Sequence, residues 1–398
     1  MHKVYLIIGF LVTCLGTIQA QTKEEVLGLI NSVTIPKGDF YYEIPFDYSL
    51  GSIIINVQVG GETYTFNFDT GGYTMITDAL QQKNNFTVVA AQTVGSSNGL
   101  KNELNVIKAD SLLIGGLAFK NLAMHQFSLK GSPILSCMLN GGFIGANIIK
   151  KCVWQIDYPR RIITVTNNKD KLKGLKKAVK VPVTFNAHLQ PYIKANINGQ
   201  ETWVMFDTGS NSEFWLGKDE VVKHKNSKEV IIEGGGIEAI HGKVESTLTV
   251  MNVDYKIGPL KFRDKPAYYE MAANLTLLGS PIIENYVVTL NFPESEIYFS
   301  PIEGKPLTNG WENFGFTLAY RDGKHKILTL FKGFAAEKAG LAIGDVVVAL
   351  NGSPIACDNL CDCGKLFTAL YTTATELTLT VQKPEGLKEI KLTKEKIF

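Results

Sequence analysis

The residues with the clearest chemistry are two aspartates in one repeated pattern. Phe68-Asp69-Thr70-Gly71 returns as Phe206-Asp207-Thr208-Gly209, 138 residues later. A single carboxylate is a weak base. Two that face each other cannot both ionise cheaply, so they share a proton. The charged member can then take a proton from a water held between them, while the protonated member donates to a carbonyl oxygen under attack. That is general acid–base hydrolysis without a covalent intermediate, suited to a peptide bond. The pair titrates as a unit, so the sequence fixes no protonation state for Asp69 or Asp207 alone. The scheme needs no cofactor and no metal.

Three residues of Asp-Thr-Gly are a weak signal in isolation, and the surrounding elements give it weight. Ile53 to Gly72 lies over Pro191 to Ser210 without a gap. In each copy an apolar strand reaches a tight turn, Gly60-Gly61 or Asn198-Gly199. A second strand then runs into the aspartate, which is a hairpin signal. Further on, Phe143-Ile144-Gly145 matches Leu277-Leu278-Gly279. Each is followed by a short helical stretch and a hairpin, with turns at Tyr158-Pro159-Arg160 and Phe292-Pro293-Glu294. The expectation is a mainly β chain with two lobes of one plan, 41–167 and 181–305, related by a pseudo-two-fold axis that brings the aspartates face to face. Between them, 168–180 is lysine-rich and reads as a solvated linker. Residues 21–40 read either as a small activation segment or as the approach to a first strand.

These two lobes resemble the single-chain pepsin family and its half-length relatives, the retropepsin-like aspartic proteases, over roughly residues 41–305. The resemblance implies an aspartic endopeptidase with Asp69 and Asp207 catalytic. It implies that Thr70 and Thr208 bond across the lobe interface, with Gly71 and Gly209 in support. Ser210 fits the hydroxyl that donates to the carboxylate in that family and Gly72 cannot, so Asp207 is expected to be the better stabilised anion. A flap hairpin over the substrate is also implied. The candidates are Gly95-Ser96-Ser97 in the first lobe and Gly234-Gly235-Gly236 in the second, neither with the flap tyrosine of pepsins. The alternative is a catalytically silent protein that keeps the fold to bind peptides.

The last unit, 308–398, has a strand, a turn at Arg321-Asp322-Gly323, a second strand, a short helix stopped by Gly340, and Ala339-Gly340-Leu341 leading to Gly344-Asp345 and Asn351-Gly352. A longer helix and two strands complete it. This order resembles a PDZ domain, a small β-sandwich with helices. Phe314-Gly315-Phe316 then stands where backbone amides would hold a terminal carboxylate, and a C-terminal peptide would add as a strand beside the long helix. Proteases coupling two such lobes to a PDZ unit occur among bacterial exported proteins, which this chain resembles.

The N-terminus agrees with export: His2 and Lys3 precede an apolar run from Val4 to Leu15 and a small residue at Ala20, so 1–20 reads as a signal peptide. Lipid attachment at Cys14 is disfavoured by Thr13. A periplasmic or secreted protein follows, with no membrane span after cleavage. Of the remaining cysteines, Cys137 and Cys152 could pair in an oxidising compartment. Cys357, Cys361 and Cys363 suit one disulfide and a free thiol, or three reduced cysteines, better than zinc, since no fourth ligand appears. The net charge of +2 gives no footprint for nucleic acid. The histidines have no metal spacing, and no serine-nucleophile or phosphate-loop motif occurs. The expected partners are a polypeptide substrate and a C-terminal peptide, the chain acting as a monomer.

Overall fold

A computed structural model describes residues 22–224, 227–269, 274–305 and 309–398. The expected leader and the expected start of the last unit at 308 lie outside the described residues. The chain is mainly β, and no helix among the described residues is long and apolar enough to cross a membrane.

Two lobes each contain a closed six-stranded barrel, built from the repeated hairpins. In the first, Ile54–Val59 pairs with Glu62–Phe68 on one side and with Lys101–Ile114 on the other. In the second, Pro191–Ile197 pairs with Gln200–Asp207 and with Leu248–Ile257. The turns need left-handed backbone: Gly60 and Gly61 have φ of 58° and 85°, Asn198 and Gly199 47° and 91°. Gly and Asn are the residues that adopt such angles at little cost, and the resulting twist matches the strands. Along Ile54–Val59 burial alternates, so every second side chain enters the barrel.

A six-stranded sheet joins the lobes in the order Val179–Pro182, Glu296–Pro301, Tyr286–Asn291, Val153–Asp157, Ile162–Thr166, Tyr41–Asp47. Its middle is the cross-lobe pair, with Val288 opposite Ile156 and Leu290 opposite Trp154. One hydrophobic core runs through both lobes, including Phe68, Trp154, Phe206 and Phe299, all fully buried. The lobes are therefore halves of one folding unit rather than two tethered domains.

The segments outside the two lobes have structure of their own. The lysine-rich segment between the lobes is largely exposed. It forms short helical turns at Lys169–Lys171 and Leu175–Lys177. Its lysines pair with acids on either side of it: Lys171 with Asp39, ahead of the first lobe, and Lys180 with Glu296 of the second. Its last residues are already the strand Val179–Pro182. The segment before the first lobe contains a helix, Lys23–Asn31, started by a capping box between Thr22 and Glu25.

The C-terminal module has its own core, around Phe314, Phe316, Val347, Phe367 and Leu379. Its strands Phe316–Arg321, Lys324–Phe331, Val346–Leu350, Glu376–Lys383 and Gly386–Thr393 form one sheet against the helix Leu360–Thr373. That sheet continues into the second lobe, because Lys324–Phe331 pairs with Glu229–Glu233. The chain end seals the junction: Ile397 and Phe398 are buried beside Val230 and Phe331.

Candidate active site

Each aspartate lies at the end of a central strand with a parallel neighbour on its flank. Phe68 is aligned with Ile144, and Asp207 with Gly279. The repeated apolar-apolar-Gly elements are thus the strands that flank the aspartates. Their glycines are required by space. A Cβ on Gly145 would lie 2.2 Å from the Tyr73 carbonyl carbon, and one on Gly279 2.0 Å from the Ser212 oxygen. The loop after each aspartate crosses directly over the glycine. It is tied there by matching bonds, Ala146 N–H to Gly72 O (2.7 Å) and Ser280 N–H to Ser210 O (2.8 Å).

The lobes meet at the threonines. Thr70 N–H donates to Thr208 Oγ1 (3.1 Å) and Thr208 N–H to Thr70 Oγ1 (3.0 Å). Each hydroxyl donates onward across the interface, Thr70 to Phe206 O and Thr208 to Phe68 O (2.7 Å). Both threonines are fully buried, so these four bonds are shielded from water and every polar atom involved has a partner.

This arrangement puts the carboxyl groups of Asp69 and Asp207 within hydrogen-bond reach of each other. Gly71 and Gly209 make it possible in a way the sequence does not announce. Neither has a left-handed φ. Instead, a Cβ on Gly71 would sit 2.5 Å from the Asp207 carboxyl carbon, and one on Gly209 2.6 Å from that of Asp69. Each glycine clears room for the opposite carboxyl.

Burial, then the charge of Asp207, holds the Asp69 carboxyl well above the usual carboxylate range. Burial raises Asp207 too, against the pull of its hydrogen bond with Asp69 and of backbone N–H groups from Gly209, Ser210 and Gly71. Each carboxyl accepts one amide from its own turn, Gly71 N–H at Asp69 Oδ1 (2.7 Å) and Gly209 N–H at Asp207 Oδ1 (2.9 Å), and two such buried groups titrate as a unit. Both side chains keep some accessible area, so solvent reaches a site otherwise walled by protein. Ser210, expected to donate its hydroxyl to Asp207, instead accepts at Oγ from Ser212 N–H (3.4 Å), and its amide donates to the main-chain oxygen of Asp207 (3.2 Å).

The first flap candidate is a hairpin, Thr87–Gly95 with Lys101–Ile114, whose turn contains Ser96 and Ser97. In the second lobe the hairpin is Gly236–Ala239 with Gly242–Glu245, so its tip is Ile240-His241 and the glycine triplet lies at its base. The repeat offset grows from 138 at the aspartates to 143 at the Ile114 and Ile257 turns, and the added residues push the tip beyond the glycines. The two hairpins touch. Asn98 Nδ2 donates to Gly242 O (2.8 Å), and His241 Nε2 bonds Val94 O (2.8 Å).

Some neighbours of the site have no signature in the sequence. Gln190 Nε2 donates to Gly71 O (2.5 Å). Tyr73, which follows the first Asp-Thr-Gly-Gly, donates to Ala187 O (3.3 Å) and packs on Val26 and Ile30 of the N-terminal helix. Beside it, His125 is pushed down to about 4 by burial and then by His188, so it stays neutral.

In the C-terminal module Phe314, Gly315 and Phe316 are buried, and Gly315 takes the left-handed φ of 82° expected of a carboxylate loop. Its donors are partly committed, however: Gly315 N–H bonds Asn313 Oδ1 (2.9 Å). On the adjoining strand, Leu318 N–H donates to the Tyr371 hydroxyl (2.8 Å), from the helix on the other side of the groove. The cysteines also differ from expectation. Cys137 pairs with Cys361 and Cys357 with Cys363. Cys152 is unpaired and fully buried in the lobe core, where it cannot reach Cys137, and burial pushes its thiol up to about 12.

No family model matches this sequence, and no curated protein matches it.

Proposed function

We propose that the chain is an aspartic endopeptidase of the pepsin and retropepsin type, in one chain, carrying a PDZ-like module. The observation that supports this most is the carboxyl pair: Asp69 and Asp207, from equivalent turns of the two lobes, are held in contact by reciprocal threonine bonds. The charged member takes a proton from a water bound between the carboxyls. The resulting hydroxide equivalent adds to the peptide carbonyl, while the protonated member donates its proton to the carbonyl oxygen. Collapse of the tetrahedral species then protonates and releases the amine. Both carboxyls come from one polypeptide, so a monomer suffices. The hairpins that meet between the lobes would cover the bound peptide.

The two disulfides support an oxidising compartment, and with it export. For a peptide to enter the PDZ-like groove as an added strand, Tyr371 must give up the Leu318 amide.

The test is cleavage of a denatured protein between pH 3 and 8, with and without a statine-type inhibitor, on the native chain and on Asp69→Asn and Asp207→Asn. Cleavage that is blocked by the inhibitor and absent in both variants supports the reading. Absence of cleavage by the native chain at every pH argues for a peptide-binding protein.

A further inference from the structure

The hairpin Gly236–Glu245 does more than touch the opposite hairpin. Glu238 Oε1 accepts from the Ile134 and Leu135 amides (2.8 and 3.0 Å), which open the short first-lobe helix Pro133–Met138. Ser132 Oγ donates to Ala239 O (2.9 Å), and Ile240 packs on the first-lobe apolar cluster of Met75, Phe127 and Leu135. A second-lobe hairpin is thus strapped to the first lobe by its own backbone and by a half-buried carboxylate.

The same helix carries Cys137, whose partner Cys361 opens the long helix of the C-terminal module. The base of the strap also rests on that module. Gly234 has φ of 73°, and a Cβ there would meet Leu328 O at 2.3 Å. The contacts close into a ring. It runs from the strap to the helix Pro133–Met138, through the disulfide to the module helix, across the module sheet to Lys324–Phe331, into Glu229–Glu233, and back to the strap. One link in that ring is a disulfide, and it is placed for chemistry. Cys137 is partly exposed and lines a crevice of about 440 Å³ with Leu50, Met138 and Lys365. Cys363 of the other disulfide is fully buried in the module core.

We infer that Cys137–Cys361 is a redox-sensitive tether, which in its oxidised form holds the strap down between the lobes and in its reduced form releases it. The inference rests on the reading of the cleft as the substrate site. The reductant is a dithiol. Its thiolate attacks one sulfur, the S–S bond breaks to a mixed disulfide and one thiol, and the second thiol of the reductant resolves it. The products are two cysteine thiols and an oxidised dithiol, with two electrons and two protons transferred. The strap then keeps its hydrogen bonds and the packing of Ile240 but loses the covalent link behind its docking helix, and the glycines at its base let it swing.

Hydrogen–deuterium exchange on the full chain tests this, carried out on Asp69→Asn so that self-cleavage plays no part. Cys137→Ser and Cys361→Ser should each raise exchange about tenfold in 94–100 and 236–245, leaving Val153–Asp157 unchanged. Dithiothreitol at a concentration that reduces Cys137–Cys361 alone, verified by peptide mapping, should do the same without any substitution. Unchanged exchange in both hairpins with that bond reduced overturns the tether. So does loss of protection spread evenly over the lobes. In the active chain, release should raise kcat/KM for a folded protein substrate more than for a short peptide. A chain that cleaves nothing defeats the proteolytic reading, while the exchange result still decides the tether.

Discussion

Asp69→Asn should stabilise this protein at neutral pH and leave it unchanged in acid. In an unfolded chain both carboxyls titrate near their ordinary value of about 4. In the folded chain both are raised, Asp69 most, so the native state binds more protons than the unfolded state as pH climbs above that value. A raised carboxyl contributes its stability in acid and loses it as pH rises through the folded value. The size follows from the contact. Two unit charges roughly 5 Å apart at an effective dielectric of about 20 repel by about 3 kcal/mol. Both side chains keep some solvent access, so about 1–2 kcal/mol is the realistic penalty when both are ionised. Asparagine keeps the shape and a donor toward Asp207, and removes one charge. Calorimetry at pH 3 and pH 7 at fixed ionic strength should show a rise of a few degrees at pH 7 and none at pH 3. An equal shift at both values, or a fall at pH 7, would refute the idea that the two aspartates share one proton.

Other substitutions probe the same scaffold. Thr208→Val leaves the Thr70 amide and the Phe68 carbonyl unpaired in a buried interface, so denaturant titration should show a loss of about 2–4 kcal/mol, with activity lost as well. Gly71→Ala places a methyl 2.5 Å from the Asp207 carboxyl and should abolish cleavage, whereas Gly72→Ala meets an Asp69 oxygen at 3.1 Å and should retain measurable kcat. Tyr371→Phe removes the acceptor for Leu318 N–H at a cost of about 1 kcal/mol, and by calorimetric titration should bind peptides with a free C-terminal carboxylate more tightly than the native chain.

The floor of the site was legible because its constraints are local and occur twice. Gly60-Gly61 and Asn198-Gly199 are demanded by hairpin twist, and Gly145 and Gly279 by a loop crossing a strand within each lobe. A constraint that recurs leaves aligned residues, and the alignment can be seen without coordinates. Contacts that occur once leave no such trace. Nothing near Cys137 indicates that its partner lies 224 residues away, and Glu238, Gln190 and Tyr371 act through one or two bonds to backbone atoms that any residue could supply. The second flap shows a third case. Glycines attracted attention because they suit a tip, but here they serve as the base, and a five-residue difference between the lobes moved the tip to Ile240-His241.

The lobes match at the floor and diverge in the walls, and the divergence has a physical reason. A pseudo-two-fold floor presents the same threonine bonds from either side, so it cannot sense the direction of a peptide. Direction has to be read by residues that break the symmetry. Six residues beyond Asp69 stands Met75, buried in an apolar cluster with Phe127 and Phe143. The equivalent position beyond Asp207 is Glu213, which accepts from Tyr255 (2.9 Å) and pairs with the buried Lys265 (3.3 Å). A buried ion pair of this kind contributes little net stability compared with apolar packing of the same volume. Equivalent positions beside the same floor thus hold unlike buried groups, an apolar side chain packed in a cluster in the first lobe and a satisfied charge pair in the second.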